Sequence, residues 1–334
     1  MEDENQSPVQ NNPDAPVENK RQTENKKFLP ISILLSAFVV AAAWIYTSGP
    51  KATEVVQPVD TVAEQDANSA KELEELEENV LPLDGVTIPI KWGNLGTQMI
   101  DAGVIDKEKF EEIYSKRGGF AEDQKKLLYG ADNGEIKMTE ANSGFLLNLF
   151  WAFGLANKNE ILEKGPMVNY DGKEPASPAE AMEKAGRFAS TGGWSLATSD
   201  AMNYYSKYPF VALTPEQQGV VERVSKNIYR PCCGNSTYFP DCNHGMAMLG
   251  LIELMAAQGM NEDEMYKIAL RVNSYWFPDT YLTIAKYLKE QGTAWENADP
   301  KEILGSDFSS GSGFQKIREK VTPPEREGGG GCGV

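Results

Sequence analysis

The sequence predicts a mainly α-helical protein with a single transmembrane helix near its N-terminus, a disordered acidic stalk and a helical extracytoplasmic domain. Three observations predict this organisation. An uncharged apolar segment runs from Phe28 to Tyr46, polar segments without aromatic residues flank it, and the rest of the chain has many helix-start signals and few alternating strand patterns. The predicted boundaries are a tail over 1–27, a transmembrane helix over 28–47, a stalk over 48–80, a helical domain over 81–321 and a flexible glycine-rich tail over 322–334.

The apolar segment is long enough to cross a membrane. It contains about 19 uncharged residues, and a helix that rises about 1.5 Å per residue needs about 20 residues to span the hydrocarbon core. Basic residues lie between Lys20 and Lys27, and Trp44 and Tyr46 close the segment, so a single-pass protein of the cell membrane with a cytoplasmic N-terminus is predicted. A cleaved secretory signal is the alternative, because Ala41–Ala43 is similar to a cleavage site. In both cases the body is exported.

The charge of the chain restricts its partners. The formal net charge is −17 and the isoelectric point is about 4.7. The chain therefore matches polyanions poorly, and we expect no nucleic-acid partner. Residues 1–27 and 48–80 are rich in Gln, Asn, Pro, Glu and Asp, which is typical of disordered segments, and they are interpreted as a cytoplasmic tail and a solvated stalk. A protein partner would bind through the helical domain.

Helix-start and helix-stop residues organise that domain. The start signals are Asp106, Thr214–Gln217 with proline at the first helical position, and Asn261–Glu264. Gly259 and Gly292 are predicted stops. The predicted helices include 141–156, 245–258, 262–276 and 279–291. The best strand candidate is Val86–Ile90, which Pro89 confines to a sheet edge.

The strongest chemical signal is a cluster of soft ligands. Cys232, Cys233, Cys242 and the only histidine of the chain, His244, fall within thirteen residues. Thiolate and imidazole are ligands of zinc and copper(I), although the spacing Cys-Cys-x8-Cys-x-His fits no standard zinc-finger, haem or thioredoxin pattern. Cys242 also lies at the start of a predicted helix, where the helix dipole favours the thiolate form. The sequence therefore predicts a copper or zinc site at these four residues.

Two further residues are candidate ligands. Met246 follows the cluster directly, and a thioether would favour copper(I), but methionine is also a common core residue. Cys332 stands in a glycine-rich tail that could carry its thiol to the cluster, either as a ligand or for thiol exchange.

Two other interpretations of the cysteines remain open. Either Cys232 or Cys233 could pair with Cys242 in a disulfide, because an exported protein meets an oxidising compartment, and the domain would then be a disulfide-stapled interaction protein. Such a pairing leaves an odd cysteine, so a thiol-redox protein that uses Cys332 as a mobile thiol is the third class. Enzymatic activity is not favoured, since the single histidine and the absence of a specific carboxylate pair supply no catalytic triad or acid-base motif.

The stretch from Ile228 to about Leu270 resembles a group of exported, cysteine-rich bacterial proteins that are named for a Pro-Cys-Tyr-Cys-Gly-Cys motif and have no known function. The shared features are a proline-led cysteine pair at Pro231–Gly234, a later cysteine with a neighbouring histidine, and a helix that ends at Gly259. The tyrosine and the third motif cysteine are missing here. The resemblance implies an exported metal or redox module and no specific activity.

Overall fold

The computed structural model describes residues 59–324 and Arg326, with side chains from Ala70 onward. From Gln65 onward these residues belong to one compact unit. The predicted tail over 1–27, the predicted transmembrane helix over 28–47 and Cys332 lie outside the described residues. Within the part that the structure describes, no helix has both the length and the apolar composition that a membrane span requires.

Helices dominate the described residues, as the sequence predicted. The first seven helices are α1 (Val59–Val80), α2 (Leu95–Asp101), α3 (Lys107–Ser115), α4 (Glu122–Tyr129), α5 (Ser143–Ala156), α6 (Glu160–Lys164) and α7 (Pro166–Asn169). The helices that follow are α8 (Pro178–Ala185), α9 (Pro215–Lys226), α10 (Asn243–Ala257), α11 (Glu262–Trp276), α12 (Pro278–Glu290), α13 (Pro300–Ile303), α14 (Ser306–Ser309) and α15 (Gly311–Arg318). Short 3₁₀ helices lie at Glu140–Asn142, Ala201–Asn203 and Trp295–Asn297.

The predicted helix-start residues act as caps. The Asp106 carboxylate accepts the backbone N–H of Glu108 over 3.0 Å at the start of α3. Asn261 caps α11 in the same way, accepting from Glu264 N–H over 2.9 Å. Side-chain oxygens in these positions satisfy backbone donors that the first helical turn leaves unpaired. The predicted helices 245–258, 262–276 and 279–291 are confirmed as α10, α11 and α12 within two residues.

A small antiparallel sheet joins two distant segments. Strand β1 (Val86–Ile88) pairs with β2 (Ile136–Met138), with Val86 opposite Met138 and Ile88 opposite Ile136. Ile88, Ile136 and Met138 are buried, so the sheet covers the helical core with its apolar face. The sequence predicted β1 within the longer β-branched run Val86–Ile90, but not its partner, because β2 is a three-residue strand and no such run surrounds it.

The centre of the body is the packed pair α5 and α10. Both helices are buried along nearly their whole length, so they are apolar all round rather than on one face. Gly154 of α5 and Gly250 of α10 meet at the crossing, where a Cβ on Gly250 would lie 2.7 Å from the Phe150 carbonyl oxygen. Only glycine permits backbones to approach this closely. The crossing fixes α10, and therefore the position of Cys242 at its start.

The prediction of a solvated stalk over 48–80 is wrong for the part that forms helix α1. Residues 59–80 are helical, and Leu76 and Val80 of this helix are buried in the core. Lys289 pairs with Glu72 over 3.2 Å, which places the acidic face of α1 against α12. The acidic composition concealed an apolar stripe at Leu73, Leu76 and Val80, whose spacing puts the three side chains on one side of a helix.

The first residues of the predicted flexible tail also lie against the body. Lys286 donates to the carbonyl oxygen of Thr322 over 3.0 Å. Arg326 contacts Glu77 of α1 over 2.8 Å and Glu140 over 3.0 Å. These charged contacts hold residues that the sequence assigned to a free tail from position 322.

Candidate metal centre

The segment before α10 folds back on itself and brings the cysteines together. Pro231 occupies the second position of a turn in which Cys233 N–H donates to the Arg230 carbonyl over 3.4 Å. Thr237 N–H then donates to Ile228 O over 2.7 Å, which closes the loop. From outside the loop, Gly311 N–H donates to the carbonyl of Cys233 over 2.8 Å. The thiols of Cys232 and Cys233 therefore face the start of α10.

Three sulphur atoms form a compact group. The Sγ atoms of Cys232, Cys233 and Cys242 all lie within 4.8 Å of one another, and those of Cys232 and Cys242 are 3.6 Å apart. Two sulphurs on one tetrahedral zinc ion, each bound at about 2.3 Å, are about 3.8 Å apart. A disulfide bond is about 2.05 Å long, and none of the three thiols forms a disulfide with a described residue. The separation of Cys232 and Cys242 is close to that of two sulphurs on one metal ion and is too long for a disulfide bond.

Access to the three thiols is unequal. Cys232 is exposed, whereas Cys233 and Cys242 are half-buried. Cys233 Sγ lies 3.8 Å from the Asn235 carbonyl oxygen and 3.8 Å from Asp241 Oδ1. A metal ion would thus enter from the side of Cys232.

Arg230 is the buried cation of the site. Its side chain is 1 % exposed, and its Nε–H donates to Cys242 Sγ over 2.9 Å. The guanidinium also donates to the carbonyls of Asn235 and Phe239, each over 3.0 Å, and forms an ion pair with Asp241. Burial lowers the pKa of Arg230, but the negative charges of Cys242, Cys233 and Asp241 outweigh burial and raise it. A fixed positive charge therefore lies beside the thiols.

The start of α10 supplies a second stabilising contact. Cys242 is the N-cap of this helix, and its sulphur accepts the Gly245 backbone N–H over 3.4 Å. A Cβ on residue 245 would lie 2.5 Å from Arg230 Cζ. Gly245 is therefore required for the guanidinium to reach Cys242. The helix terminus and Arg230 both favour negative charge on this sulphur.

Cys242 is the sulphur on which negative charge concentrates. Hydrogen bonds from Cys232 and Cys233 lower the pKa of Cys242 most strongly, a hydrogen bond with His244 and the charge of Arg230 lower it further, and burial opposes them. The pKa of Cys232 is raised, chiefly because this thiol is hydrogen-bonded to Cys233 and Cys242, and desolvation of its charged form adds to the shift. These contacts favour the thiolate form of Cys242, and the thiolate is the form of cysteine that binds metals.

His244 is near the cluster but outside the compact group of sulphurs. Its ring is 4 % exposed and packs on Phe277, with the two ring centroids 4.4 Å apart. Its Nδ1 atom is buried and has no hydrogen-bond partner among the described residues. Buried polar atoms normally have a partner, so this nitrogen leaves His244 as a candidate ligand, although neither ring nitrogen belongs to the compact group.

The structure describes only one of the other two predicted ligands. Met246 is completely buried and belongs to the hydrophobic core. Cys332 lies outside the described residues.

Arg230, Asn235 and Asp241 are functional residues that sequence reasoning missed. Asn235 donates to Asp241 Oδ2 over 2.8 Å, so the two hold the loop around the guanidinium. An arginine directly before the Pro-Cys-Cys run and an aspartate directly before Cys242 were visible as charges inside an otherwise neutral cluster. Local pattern did not reveal that the two side chains meet.

Comparisons with protein-family models, with curated proteins and with solved structures find no match for this chain. Function is therefore inferred from the site itself, since a fold alone does not define function. The site brings together three cysteine sulphurs that could hold a metal ion, and the imidazole of His244 lies outside this group. This donor set suits soft metal ions and thiol chemistry.

Proposed function

We propose that the protein binds a soft metal ion, copper(I) or zinc, through Cys232, Cys233 and Cys242, with His244 as the candidate fourth ligand. The compact group of three sulphurs is the observation that carries this proposal. Thiolate ligands select copper(I) and zinc over harder cations. Three sulphurs suffice for copper(I), whereas zinc is almost always four-coordinate and would use the unpaired imidazole.

The charges around the cluster support the proposal. Three thiolates would be costly to place together in a half-buried loop, and a bound cation together with Arg230 offsets their repulsion. Asp241 and the carbonyl oxygens around Arg230 keep the guanidinium fixed when the metal leaves. The protein therefore has a preformed site rather than one that the metal must assemble.

We also propose that the site is extracytoplasmic on a membrane-anchored protein. The uncharged segment within 28–47 and the basic residues before it support this placement. In that compartment free thiols meet oxidants, so a bound metal would protect the cysteines.

Metal titration tests the proposal. Full-length protein, reduced and kept free of oxygen and of unintended chelators, is titrated with copper(I) or zinc against a competing chelator, and the bound metal is counted by mass spectrometry. We expect one ion per chain and a thiolate-to-metal absorption band. Cys242→Ser should abolish stoichiometric binding, because it removes the stabilised thiolate.

Cys332→Ser is the matched control, since it makes the same chemical change at a cysteine that the proposal does not count among the ligands. It should retain one bound ion. Absence of stoichiometric metal in the reduced wild type, or retention of metal in Cys242→Ser, contradicts the proposal.

A further inference from the structure

Two of the three thiols are arranged for a reaction that needs no metal. The sulphurs of Cys232 and Cys242 are 3.6 Å apart, and Cys232 is exposed while Cys242 is half-buried behind it. An exposed thiol with a second thiol directly beneath it is the arrangement that exchanges with disulfides, because the second thiol can attack the mixed disulfide formed by the first.

Cys233 is a poor partner for Cys232. Neighbouring Cα atoms are about 3.8 Å apart across a trans peptide, whereas most disulfides need a Cα separation of about 4.4 to 6.8 Å. The Cys233 thiol is also directed towards Asn235 and Asp241, at 3.8 Å from an oxygen of each. Cys242 is ten residues from Cys232 in sequence and has no such restriction.

Two hydrogen-bond donors hold the Cys242 sulphur beside that of Cys232. Arg230 donates to Cys242 Sγ over 2.9 Å, and Gly245 N–H donates to the same atom over 3.4 Å. Arg230 is itself fixed by Asp241 and is 1 % exposed, so this contact is rigid. Cys242 is thus positioned before any reaction begins.

We propose that Cys232 and Cys242 form a redox-active dithiol that reduces small disulfide compounds. The Cys232 thiol passes its proton to the Cys242 sulphur, 3.6 Å away, and Cys232 Sγ attacks one sulphur of the disulfide, so that the substrate S–S bond breaks and one substrate sulphur leaves as a thiolate. Cys242 Sγ then attacks Cys232 Sγ, the mixed disulfide breaks, and the second substrate sulphur leaves with the proton that Cys242 received. Two electrons pass from the two cysteines to the substrate, and a Cys232–Cys242 disulfide remains.

The reaction would control metal binding at the same site. Oxidation removes two of the three sulphur ligands, so the oxidised protein should release its ion. This consequence rests on the proposed function, whereas the dithiol reaction itself does not.

The test uses metal-free, reduced, full-length protein that carries Cys332→Ser, with glutathione disulfide as the probe. Released glutathione is counted, and the protein disulfides are located by mass spectrometry of peptides. We expect two glutathiones per chain and a peptide pair joined through Cys232 and Cys242. Cys233→Ser should give the same result. Cys242→Ser should release one glutathione and stop at a mixed disulfide on Cys232.

A mixed disulfide that persists in the protein with both thiols present, or a disulfide that involves Cys233, overturns the dithiol proposal. Metal content separates the two proposals. If the protein forms the Cys232–Cys242 disulfide but binds no metal when reduced, the dithiol proposal stands and the metal-site proposal is wrong. If it binds metal when reduced but does not form this disulfide, the metal-site proposal stands and the dithiol proposal is wrong.

Discussion

Arg230 organises the candidate site at the scale of single residues. One fully buried guanidinium contacts a sulphur, two carbonyl oxygens and the Asp241 carboxylate, so it links both ends of the loop to α10. A buried cation is tolerated only where such partners surround it. The approach of this side chain to Cys242 depends on the missing Cβ of Gly245.

Gly245→Ala should damage the site without removing a ligand. The new Cβ would lie 2.5 Å from Arg230 Cζ, and overpacking of this kind costs about 1 to 3 kcal/mol. We expect a lower melting temperature and metal binding that is weaker by about fivefold or more, since about 1.4 kcal/mol corresponds to a factor of ten. Gly234→Ala is the control within the same loop, because a Cβ there meets no atom within 4 Å. Equal melting temperature and affinity in the two variants would contradict the role of Gly245.

Glu253 is a second buried ionisable residue, in the middle of α10. Its carboxylate accepts hydrogen bonds from Asn157 over 2.6 Å and from Asn159 over 2.5 Å. The side-chain carbonyls of the two asparagines accept the backbone N–H groups of Val211 and Ile161. The amide NH2 groups of both asparagines are therefore oriented towards Glu253. Among the described residues, no cationic side chain pairs with the Glu253 carboxylate.

Glu253 should make stability depend on pH. Burial raises the pKa of Glu253 from 4.5 to about 8, although the hydrogen bonds from Asn157 and Asn159 lower it. The folded protein thus holds the proton more tightly than the unfolded chain. The resulting stabilisation is complete below the unfolded pKa and is lost as the pH rises through the folded pKa, up to about 5 kcal/mol at about 1.4 kcal/mol per unit.

Urea unfolding from about pH 5 to about pH 9 measures this effect. The free energy of unfolding of the wild type should fall as the pH rises across this range. In Glu253→Gln this fall should be much smaller, because the ionisable group is absent. Glu135→Gln, an exposed site, should follow the wild type. Identical pH profiles for the wild type and Glu253→Gln would show that burial of this carboxyl does not control the pH dependence.

At the scale of elements, local signals predicted helices well and contacts between elements poorly. Asp106 and Asn261 act as the caps that the sequence indicated, since capping depends on residues three positions apart. The pairing of β1 with β2 and the contact of Arg326 with Glu77 join residues far apart in sequence, which composition does not encode. The same holds at the site, where the cysteines were predicted and Arg230 was not.

The packing of α1 on the body predicts that this helix contributes to stability, which a solvated stalk would not do. Leu76 is 5 % exposed in the core, so Leu76→Ala should lower the free energy of unfolding by about 2 to 4 kcal/mol. Leu83→Ala makes the same change at a side chain that is 88 % exposed and should have little effect. Urea unfolding of both variants decides the matter. Equal stability would mean that α1 adds nothing to the body.

At the scale of the whole molecule, the net negative charge of the chain and the basic residues before the apolar segment act differently on how the protein would sit at a membrane. The net charge of −17 disfavours contact between the body and an anionic membrane surface. The basic residues between Lys20 and Lys27 instead favour the cytoplasmic side. Both conditions are met if the N-terminal segment is cytoplasmic and the body lies outside the cell without contacting the membrane surface. Cys232 would then be exposed to extracytoplasmic metal ions and disulfides.

Thiol labelling in intact cells tests this orientation. In a variant in which serine replaces the three cluster cysteines, Cys332 is the only thiol, and a membrane-impermeant reagent should label it after reduction. In the control, serine replaces all four native cysteines and Ser7→Cys supplies the only thiol. This thiol should react only with a permeant reagent, because the positive charges between Lys20 and Lys27 keep the N-terminal segment in the cytoplasm. Labelling of Cys332 by the permeant reagent alone would place the body in the cytoplasm and reverse the proposed orientation. The metal site would then face a reducing compartment, where its thiols need no metal for protection from oxidation.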